Sequence, residues 1–161
     1  MSIEQLTQIA INFLAEKYDL PLEIPIVING RLRTAMGRYL SSCEDKPESI
    51  ELAGFLMKYG AQSVIIDTLY HECVHYALHV KGEPNADGHP HFESELRKHG
   101  VGSTQSNRVG YYVAYTCSEC GTEAQARGKR LLREHHGRVT RCCRAKIINV
   151  CELIYDGTEA L

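Results

Sequence analysis

The sequence feature that most constrains the fold is the stretch DTLYHECVHYALHV, residues 67–80. Its apolar residues follow one another at steps of three or four, together with the residue just before it: Ile66, Leu69, Cys73, Ala77 and Val80. This spacing predicts an amphipathic helix from Gln62 to Val80, closed by Lys81 and Gly82. The histidines of the stretch fall in a different angular sector, so they do not compete with the core for one face of the helix.

The polar residues of this helix form an H-E-x-x-H pattern, made by His71, Glu72 and His75. Residues four apart on a helix lie one turn apart, about 6 Å along the axis, so both imidazoles can face one ion. The following residue lies about 100° round the helix, where Glu72 can act on a metal-bound water as a general base. The pattern predicts a zinc site. The alternative is a solvated, histidine-rich helix, because the motif arises by chance in roughly a few per cent of such chains.

A catalytic zinc requires a third protein ligand and an open fourth position. The remaining histidines in reach are His79, His89, His91 and His99. His79 lies two turns beyond His71 on the same helix, too far to close a compact site. His89 and His91 follow a loop that can turn back over the helix, and Pro90 between them directs them apart, so at most one coordinates. Spacing leaves the choice between these two open.

The rest of the N-terminal region alternates helical and strand patterns. Ser2 and Gln5 form a predicted capping box before a helix over residues 3–14. LEIPIVING, residues 22–30, predicts a strand that starts late or lies at an edge because of Pro25, with RLRTAMGRYLSS, residues 31–42, as its partner. We further expect a strand at SIELAG, residues 49–54, then a loop up to residue 60, and a short helix in HFESELRKHG, residues 91–100.

Several of these segments, in this order and spacing, resemble the SprT-like family of zinc metallopeptidases: RLRTAMGRYL, SIELAGFLMKYG, DTLYHECVHYAL and DGHPHFESELRKHGVGST. The family pattern places a histidine preceded by glycine after H-E-x-x-H, with an aromatic residue a few positions on. Here that histidine is His89, flanked by Gly88 and Phe92. The resemblance therefore implies a small α+β zincin-like metallopeptidase domain over residues 1–110, with zinc held by His71, His75 and His89 and with Glu72 as the catalytic base. His91 would then be a neighbour that faces the substrate.

Four of the seven cysteines cluster near the C-terminus, where the resemblance implies a zinc ribbon over residues 111–161. YTCSECG places Cys117 and Cys120 before a glycine, which is typical of a zinc knuckle. Its expected mate, a second C-x-x-C, is replaced by the adjacent Cys142 and Cys143, which can meet one metal from a turn. His135 or His136 could instead complete a Cys3His site. We expect a second, structural zinc ion here, in a zinc-ribbon-like β hairpin. The remaining cysteines are interpreted as ordinary thiols: Cys43, Cys73 and Cys151.

The basic residues are concentrated in residues 127–146. This stretch contains eight lysines and arginines and only one glutamate, although the whole chain has a net charge of −2. Such a stretch could follow the phosphate backbone of DNA, with Tyr111, Tyr112 and Tyr115 as stacking faces. A solvated hairpin with packed tyrosines is the alternative, because no base-reading motif is present.

The function that these features predict is zinc-dependent hydrolysis of peptide bonds in a protein substrate. The resemblance implies substrates among DNA-associated proteins, as for the related Spartan proteases. The alternative is a non-catalytic zinc-containing module that binds nucleic acid, although a retained Glu72 disfavours it. The first 20 residues carry no basic leader and no uninterrupted apolar run, so we expect a cytoplasmic protein without a membrane span. The sequence does not determine the oligomeric state.

Overall fold

A computed structural model describes residues 1–41, 47–102 and 108–158, and these residues form a mixed α+β structure. The helices are α1 (Ile3–Tyr18), α2 (Gly54–Tyr59), α3 (Gln62–Val80), α4 (Pro90–Lys98) and α5 (Arg130–Glu134), the last followed by a 3-10 turn at His135–Gly137. The strands are β1 (Ile26–Asn29), β2 (Gly37–Leu40), β3 (Ser49–Ala53), β4 (Val109–Cys117), β5 (Glu123–Arg127) and β6 (Ile147–Asp156). Within the described ranges, no helix has both the length and the apolar character that crossing a bilayer requires.

Helix α1 begins at the predicted capping box. The Ser2 side chain accepts a hydrogen bond from the Gln5 backbone, and the Gln5 side chain accepts one from the Ser2 backbone. The helix continues one turn beyond the predicted end, to Tyr18, and Tyr18 also packs into the core. It ends at Asp19, which adopts the left-handed conformation with φ of 53°.

The first sheet has the strand order β1-β3-β2. Strand β1 begins after Pro25, as predicted, and runs parallel to β3, while β2 runs antiparallel to β3 on its other side. The prediction that residues 31–42 pair with the preceding strand is therefore wrong for the part that the structure describes. Strand β3 takes the central position because Ile50 and Leu52 are fully buried on it, whereas β1 exposes Val27 and Ile28.

The predicted loop after β3 is also wrong, since residues 54–59 form the short helix α2. Leu56 is its only fully buried residue, and no side chain caps its N-terminus. Six residues with one buried apolar position show too little periodicity for a helix to be recognised in the sequence. The turn at Gly60 then leads directly into α3.

Helix α3 has the predicted bounds and lies at the centre of the N-terminal region. It packs on α1, on the first sheet and on α4. Leu69, Cys73 and Ala77 are fully buried, as the apolar stripe predicts, but Val80 at the helix end is half exposed. Helix α4 packs on α3 and buries Phe92 and Leu96, and its C-terminal turn ends at Gly100, where φ is 67°.

The C-terminal residues form a three-stranded sheet of order β5-β4-β6 rather than the predicted hairpin alone. β4 is antiparallel to both neighbours, and Tyr111, Val113 and Leu131 form a small core of their own. Arg127 of β5 reaches back to the N-terminal region, where one guanidinium nitrogen donates to the backbone oxygen of Arg33 at 2.7 Å. A division of the chain near residue 110 stays a prediction, and contacts such as this one cross it.

Candidate metal centres

Two histidines and one aspartate bring their donor atoms together beside α3. The Nε2 atoms of His71 and His75 lie 3.2 Å apart, and Oδ1 of Asp87 lies 3.1 Å from the first and 3.2 Å from the second. Four ligands at about 2.0–2.1 Å from a tetrahedral zinc are spaced about 3.3–3.4 Å from one another. The three atoms thus have the spacing of one face of such a tetrahedron, and they could hold a metal ion with the fourth position open.

The imidazole rings are oriented by their neighbours. Nδ1 of His75 lies 2.5 Å from the backbone oxygen of Asn85, so the Nδ1 proton is donated there and the lone pair of Nε2 faces Asp87. Phe92 of α4 stacks on the His75 ring, with centroids 4.1 Å apart, and meets the His71 ring edge-on at 5.1 Å. Helix α4 therefore contributes to the site by fixing both rings rather than by supplying a donor atom.

The loop between α3 and α4 positions Asp87. It is tied to the end of α3 by the Glu83 backbone nitrogen, which donates to the Leu78 oxygen at 2.8 Å. It is tied again by the Asn85 amide, which donates to the His75 oxygen at 3.4 Å. These bonds turn the loop back over the helix, so the carboxylate of Asp87 lies above the two imidazoles.

The structure places the predicted third ligand, His89, outside this group. Pro90 occupies the first turn of α4, which makes His89 the N-cap, and its exposed ring accepts a hydrogen bond from the His91 backbone through Nδ1 at 3.2 Å. His91 itself contacts Glu83, with 2.6 Å between Nε2 and Oε2. In place of His89 the structure brings Asp87 to the histidine pair. The sequence analysis did not consider Asp87, although carboxylates also bind zinc and this one lies in the loop between the two helices.

Glu72 lies beside this centre in a buried position, with 5% of its surface exposed. The backbone N–H of Tyr39 in β2 donates to its carboxylate. Burial, and secondly the negative charge of Asp87, raise the pKa of Glu72 to about 8. Burial, followed by the neighbouring His71, lowers the pKa of His75. The site is therefore one in which a carboxylate and an imidazole are both biased towards their neutral forms.

A glycine on β2 gives Glu72 its space. A β-carbon placed on Gly37 would lie 2.8 Å from Oε1 of Glu72 and 2.9 Å from the Thr68 methyl carbon. The backbone of β2 thus packs directly on the glutamate. A cavity of about 460 Å³ opens here, and it is lined by residues of β2, by Asn85 and Asp87 of the loop, and by Glu72. A bound molecule in this cavity would reach the glutamate and the donor atoms together.

The four clustered cysteines form a second centre. The sulfur atoms of Cys117, Cys120, Cys142 and Cys143 all lie within 4.8 Å of one another and could hold a metal ion. Cys117 ends β4 and Cys120 lies in the turn that follows it, whereas the adjacent Cys142 and Cys143 come from a turn before β6. Neither of the two histidines considered as an alternative, at 135 and 136, belongs to this group; their rings pack on each other at 3.9 Å.

The environment of the cysteines favours thiolate at two positions: contacts with Thr122 lower the pKa of Cys120, and the pKa of Cys117 is lowered too. The backbone N–H of Cys120 and the Thr140 hydroxyl lower the pKa of Cys117 to about 6. The Cys120 side chain, which is a hydrogen-bond partner of Cys143, raises the pKa of Cys143 to about 12. Of the cysteines interpreted as ordinary thiols, Cys73 is buried in the main core and Cys151 is exposed on β6, and Cys43 lies outside the described residues.

Together these features define an α+β protein with two candidate metal centres, one made by histidines and a carboxylate and the other by four cysteines. Residues 3–109 match the SprT-like family, and the chain belongs to that family.

Curated relatives carry the name Protein SprT-like. The protein from Lysinibacillus sphaericus is 32% identical over 101 residues, which cover 61% of this chain and 59% of the relative. The match to the Bacillus velezensis protein is 28% identical over 130 residues, or 76% of this chain and 83% of the relative. The Staphylococcus saprophyticus protein is 32% identical over 117 residues, or 65% of this chain and 69% of the relative. This chain thus spans less than two thirds of the Lysinibacillus protein.

Proposed function

We propose that this protein is a zinc-dependent metallopeptidase that hydrolyses peptide bonds, built on a zincin-like N-terminal domain. The observation that carries the proposal is the buried carboxylate of Glu72, which lines the same open cavity as His75 and Asp87 of the donor triangle. A structural metal site has no use for a general base. Membership of the SprT-like family supports the same conclusion.

The residues of this chain divide the chemistry between them. His71, His75 and Asp87 would hold the metal through atoms already 3.1–3.2 Å apart. When bound, zinc would polarise the scissile carbonyl and make a water molecule more acidic. Glu72 would take a proton from that water onto its carboxylate and later return it to the leaving amine. The Tyr39 N–H would hold the carboxylate in place during both transfers.

We also propose that the substrates are DNA-associated proteins and that the C-terminal sheet contacts the DNA. The DNA contact is supported by the basic stretch at residues 127–146, where Arg133, Arg141 and Lys146 are exposed. Other members of the stretch have partners within the protein, since Arg130 and Arg138 both contact Glu134. Exposed cations of this kind can contact phosphates without reading sequence.

The tyrosines contribute less to this proposal than their number in the sequence predicts. Tyr111 is 7% exposed and packs in the small C-terminal core, so it offers no stacking face.

A four-cysteine centre with free thiols fits a reducing compartment, so we propose that the protein acts in the cytoplasm.

A degradation assay tests the proposed function. The zinc-loaded protein is expected to cleave a DNA-binding protein substrate, to lose this activity when zinc is chelated and to regain it when zinc is restored. Reactions with and without single-stranded DNA separate catalysis from the DNA contact. Cleavage that persists after chelation contradicts the metallopeptidase, whereas cleavage that DNA leaves unchanged contradicts only the DNA proposal. A chain that binds DNA but cleaves no substrate under any of these conditions would instead be the non-catalytic module.

The third ligand is tested by a pair of alanine variants. Asp87→Ala is expected to weaken zinc binding at the histidine centre by more than the roughly 10- to 100-fold that losing an outer-shell partner costs, because a donor atom itself is removed. His89→Ala should leave zinc affinity within a few-fold of wild type, because His89 acts as a helix cap. Chelator competition on both variants measures this. The opposite pattern, with loss in His89→Ala and retention in Asp87→Ala, would restore His89 as the ligand.

The packing of β2 on the glutamate predicts a sensitive glycine. Gly37→Ala would push a methyl group against Glu72 and Thr68, displacing the carboxylate, so we expect a fall in kcat of about tenfold or more with zinc content unchanged. Gly30→Ala is the matched control, because a β-carbon there meets nothing within 4 Å. Equal kcat values for the two variants would show that the close approach of β2 does not position Glu72.

A further inference from the structure

The two turns that carry the cysteines have the same backbone hydrogen bonds. In the first, the Cys117 nitrogen donates to the Thr122 oxygen at 2.9 Å, and the Gly121 nitrogen donates back to the Cys117 oxygen at 3.0 Å. Gly121 adopts φ of 70°, which directs the chain away after the turn. The two sulfur ligands of this turn are therefore its first residue, Cys117, and the residue three positions later, Cys120.

The second turn repeats this pattern from Thr140. The Thr140 nitrogen donates to the Ala145 oxygen at 2.9 Å, and the Arg144 nitrogen donates to the Thr140 oxygen at 3.1 Å. Arg144 adopts φ of 53°, the conformation of the glycine in the first turn. By this correspondence Cys143 is equivalent to the second ligand of the first turn, and Thr140 stands where the first ligand would be. The second turn thus has the backbone geometry of a C-x-x-C turn, although its first ligand residue is replaced by a threonine.

The side chain of Thr140 is buried against the first ligand of the other turn. It is 4% exposed, and its hydroxyl is 3.2 Å from the sulfur of Cys117. Sulfur atoms bound to one tetrahedral zinc at about 2.3 Å are spaced about 3.8 Å apart. A sulfur in place of the hydroxyl would therefore start near the required position. Meanwhile Cys142 brings its sulfur to 3.5 Å from that of Cys120, from the turn position that Glu119 occupies in the first turn.

We propose that Cys142 supplies the fourth sulfur of the structural metal site from outside the two equivalent turn positions, and that Thr140, at the position equivalent to Cys117, is a positioning residue whose hydroxyl donates to the Cys117 thiolate. The site therefore contains one more ligand position than it uses. A cysteine introduced at position 140 would compete with Cys142 for the metal. This proposal concerns only the cysteine centre, so its outcome does not depend on peptidase activity.

The first experiment uses Thr140→Cys in the full chain, a variant that keeps every wild-type ligand. In the zinc-loaded wild type, Cys142 and Cys143 are expected to resist alkylation by iodoacetamide. In zinc-loaded Thr140→Cys, Cys142 should become alkylated at least tenfold faster while Cys143 stays protected, as read by peptide mass spectrometry. Continued protection of Cys142, with alkylation of the introduced thiol instead, overturns the proposal.

The second experiment is a rescue, read through the thiolate-to-Co2+ charge-transfer bands of the cobalt-loaded chain. These bands report the cysteine centre and not the histidine one. Cys142→Ser should lose more than about tenfold in Co2+ affinity and the intensity of one thiolate, and adding Thr140→Cys should restore both. Adding Thr140→Cys to Cys143→Ser should restore neither, because the thiol at the position equivalent to Cys120 is then missing. Unchanged bands in Cys142→Ser, or no recovery when Thr140→Cys is added to it, contradict the proposal that Cys142 is the fourth ligand.

The hydroxyl itself is tested by Thr140→Val, which keeps the shape of the side chain and removes only the donor. The charge-transfer bands should shift in energy while their intensity stays that of four thiolates, because the hydrogen bond to Cys117 is lost and the ligands are not. A spectrum identical to wild type shows that Thr140 only fills space.

Discussion

Glu72→Gln is expected to lower the rate of peptide hydrolysis by about 10²- to 10⁴-fold, the usual contribution of a general acid–base group, while zinc stays bound. Glutamine has the same shape, so it keeps the packing against Gly37, and its amide oxygen can still accept the Tyr39 N–H. It cannot take up a proton from water. Zinc is retained because Glu72 contributes no atom to the donor triangle.

Initial rates of substrate cleavage and zinc content per chain measure this prediction together. Glu16→Gln is the matched control, since Glu16 is exposed on α1 and contacts only Lys17 among the described ion pairs and hydrogen bonds. It should match wild type in both quantities. A Glu72→Gln protein with wild-type activity would remove the general base from the mechanism. If wild type and Glu72→Gln degrade DNA-bound protein equally poorly, with and without single-stranded DNA, the peptidase proposal fails.

Cys117→Ser is expected to abolish metal binding at the cysteine centre and to destabilise the C-terminal sheet. Cys117 ends β4, is 1% exposed, and holds the first turn through its backbone bonds to Thr122 and Gly121. The small core of this region has few buried side chains, so a metal ion that links its two turns contributes much of its stability. We expect zinc content to fall from about two ions per chain to about one.

The measurement combines zinc content with amide hydrogen exchange. Protection should fall in β4, β5 and β6, whereas α1 and α3 should keep theirs because the main core is separate. Cys151→Ser serves as the control, since Cys151 is an exposed thiol on β6 outside the sulfur cluster. Loss of zinc in that variant, or unchanged zinc in Cys117→Ser, would contradict the four-cysteine assignment.

Local patterns predicted the helices well because their determinants lie within a few residues. The Ser2 and Gln5 capping box starts α1, and the apolar period of three or four residues sets the bounds of α3. The H-E-x-x-H spacing likewise placed His71 and His75 beside each other, since a helix turn allows no other arrangement. For α2, with a single fully buried leucine, no such local signal exists.

Strand order and the third donor depended on residues far apart in the chain. Pairing of residues 31–42 with the strand before them was a local expectation, and the burial of β3 between β1 and β2 overrode it. His89 as the third ligand stays a prediction; in the structure Pro90 makes it a helix cap, and the loop bonds bring Asp87 to the two histidines.

The sequence by itself determined the helix that bears His71, Glu72 and His75, the family resemblance and the cluster of four cysteines, because each depends on spacing along the chain. Only the tertiary structure decided that Asp87 faces His71 and His75 and that the Thr140 hydroxyl lies 3.2 Å from the sulfur of Cys117. Those assignments depend on where a loop and a turn fold back in space. Backbone hydrogen bonds within the loop and the turn, such as those from Glu83 to Leu78 and from Thr140 to Ala145, set that direction.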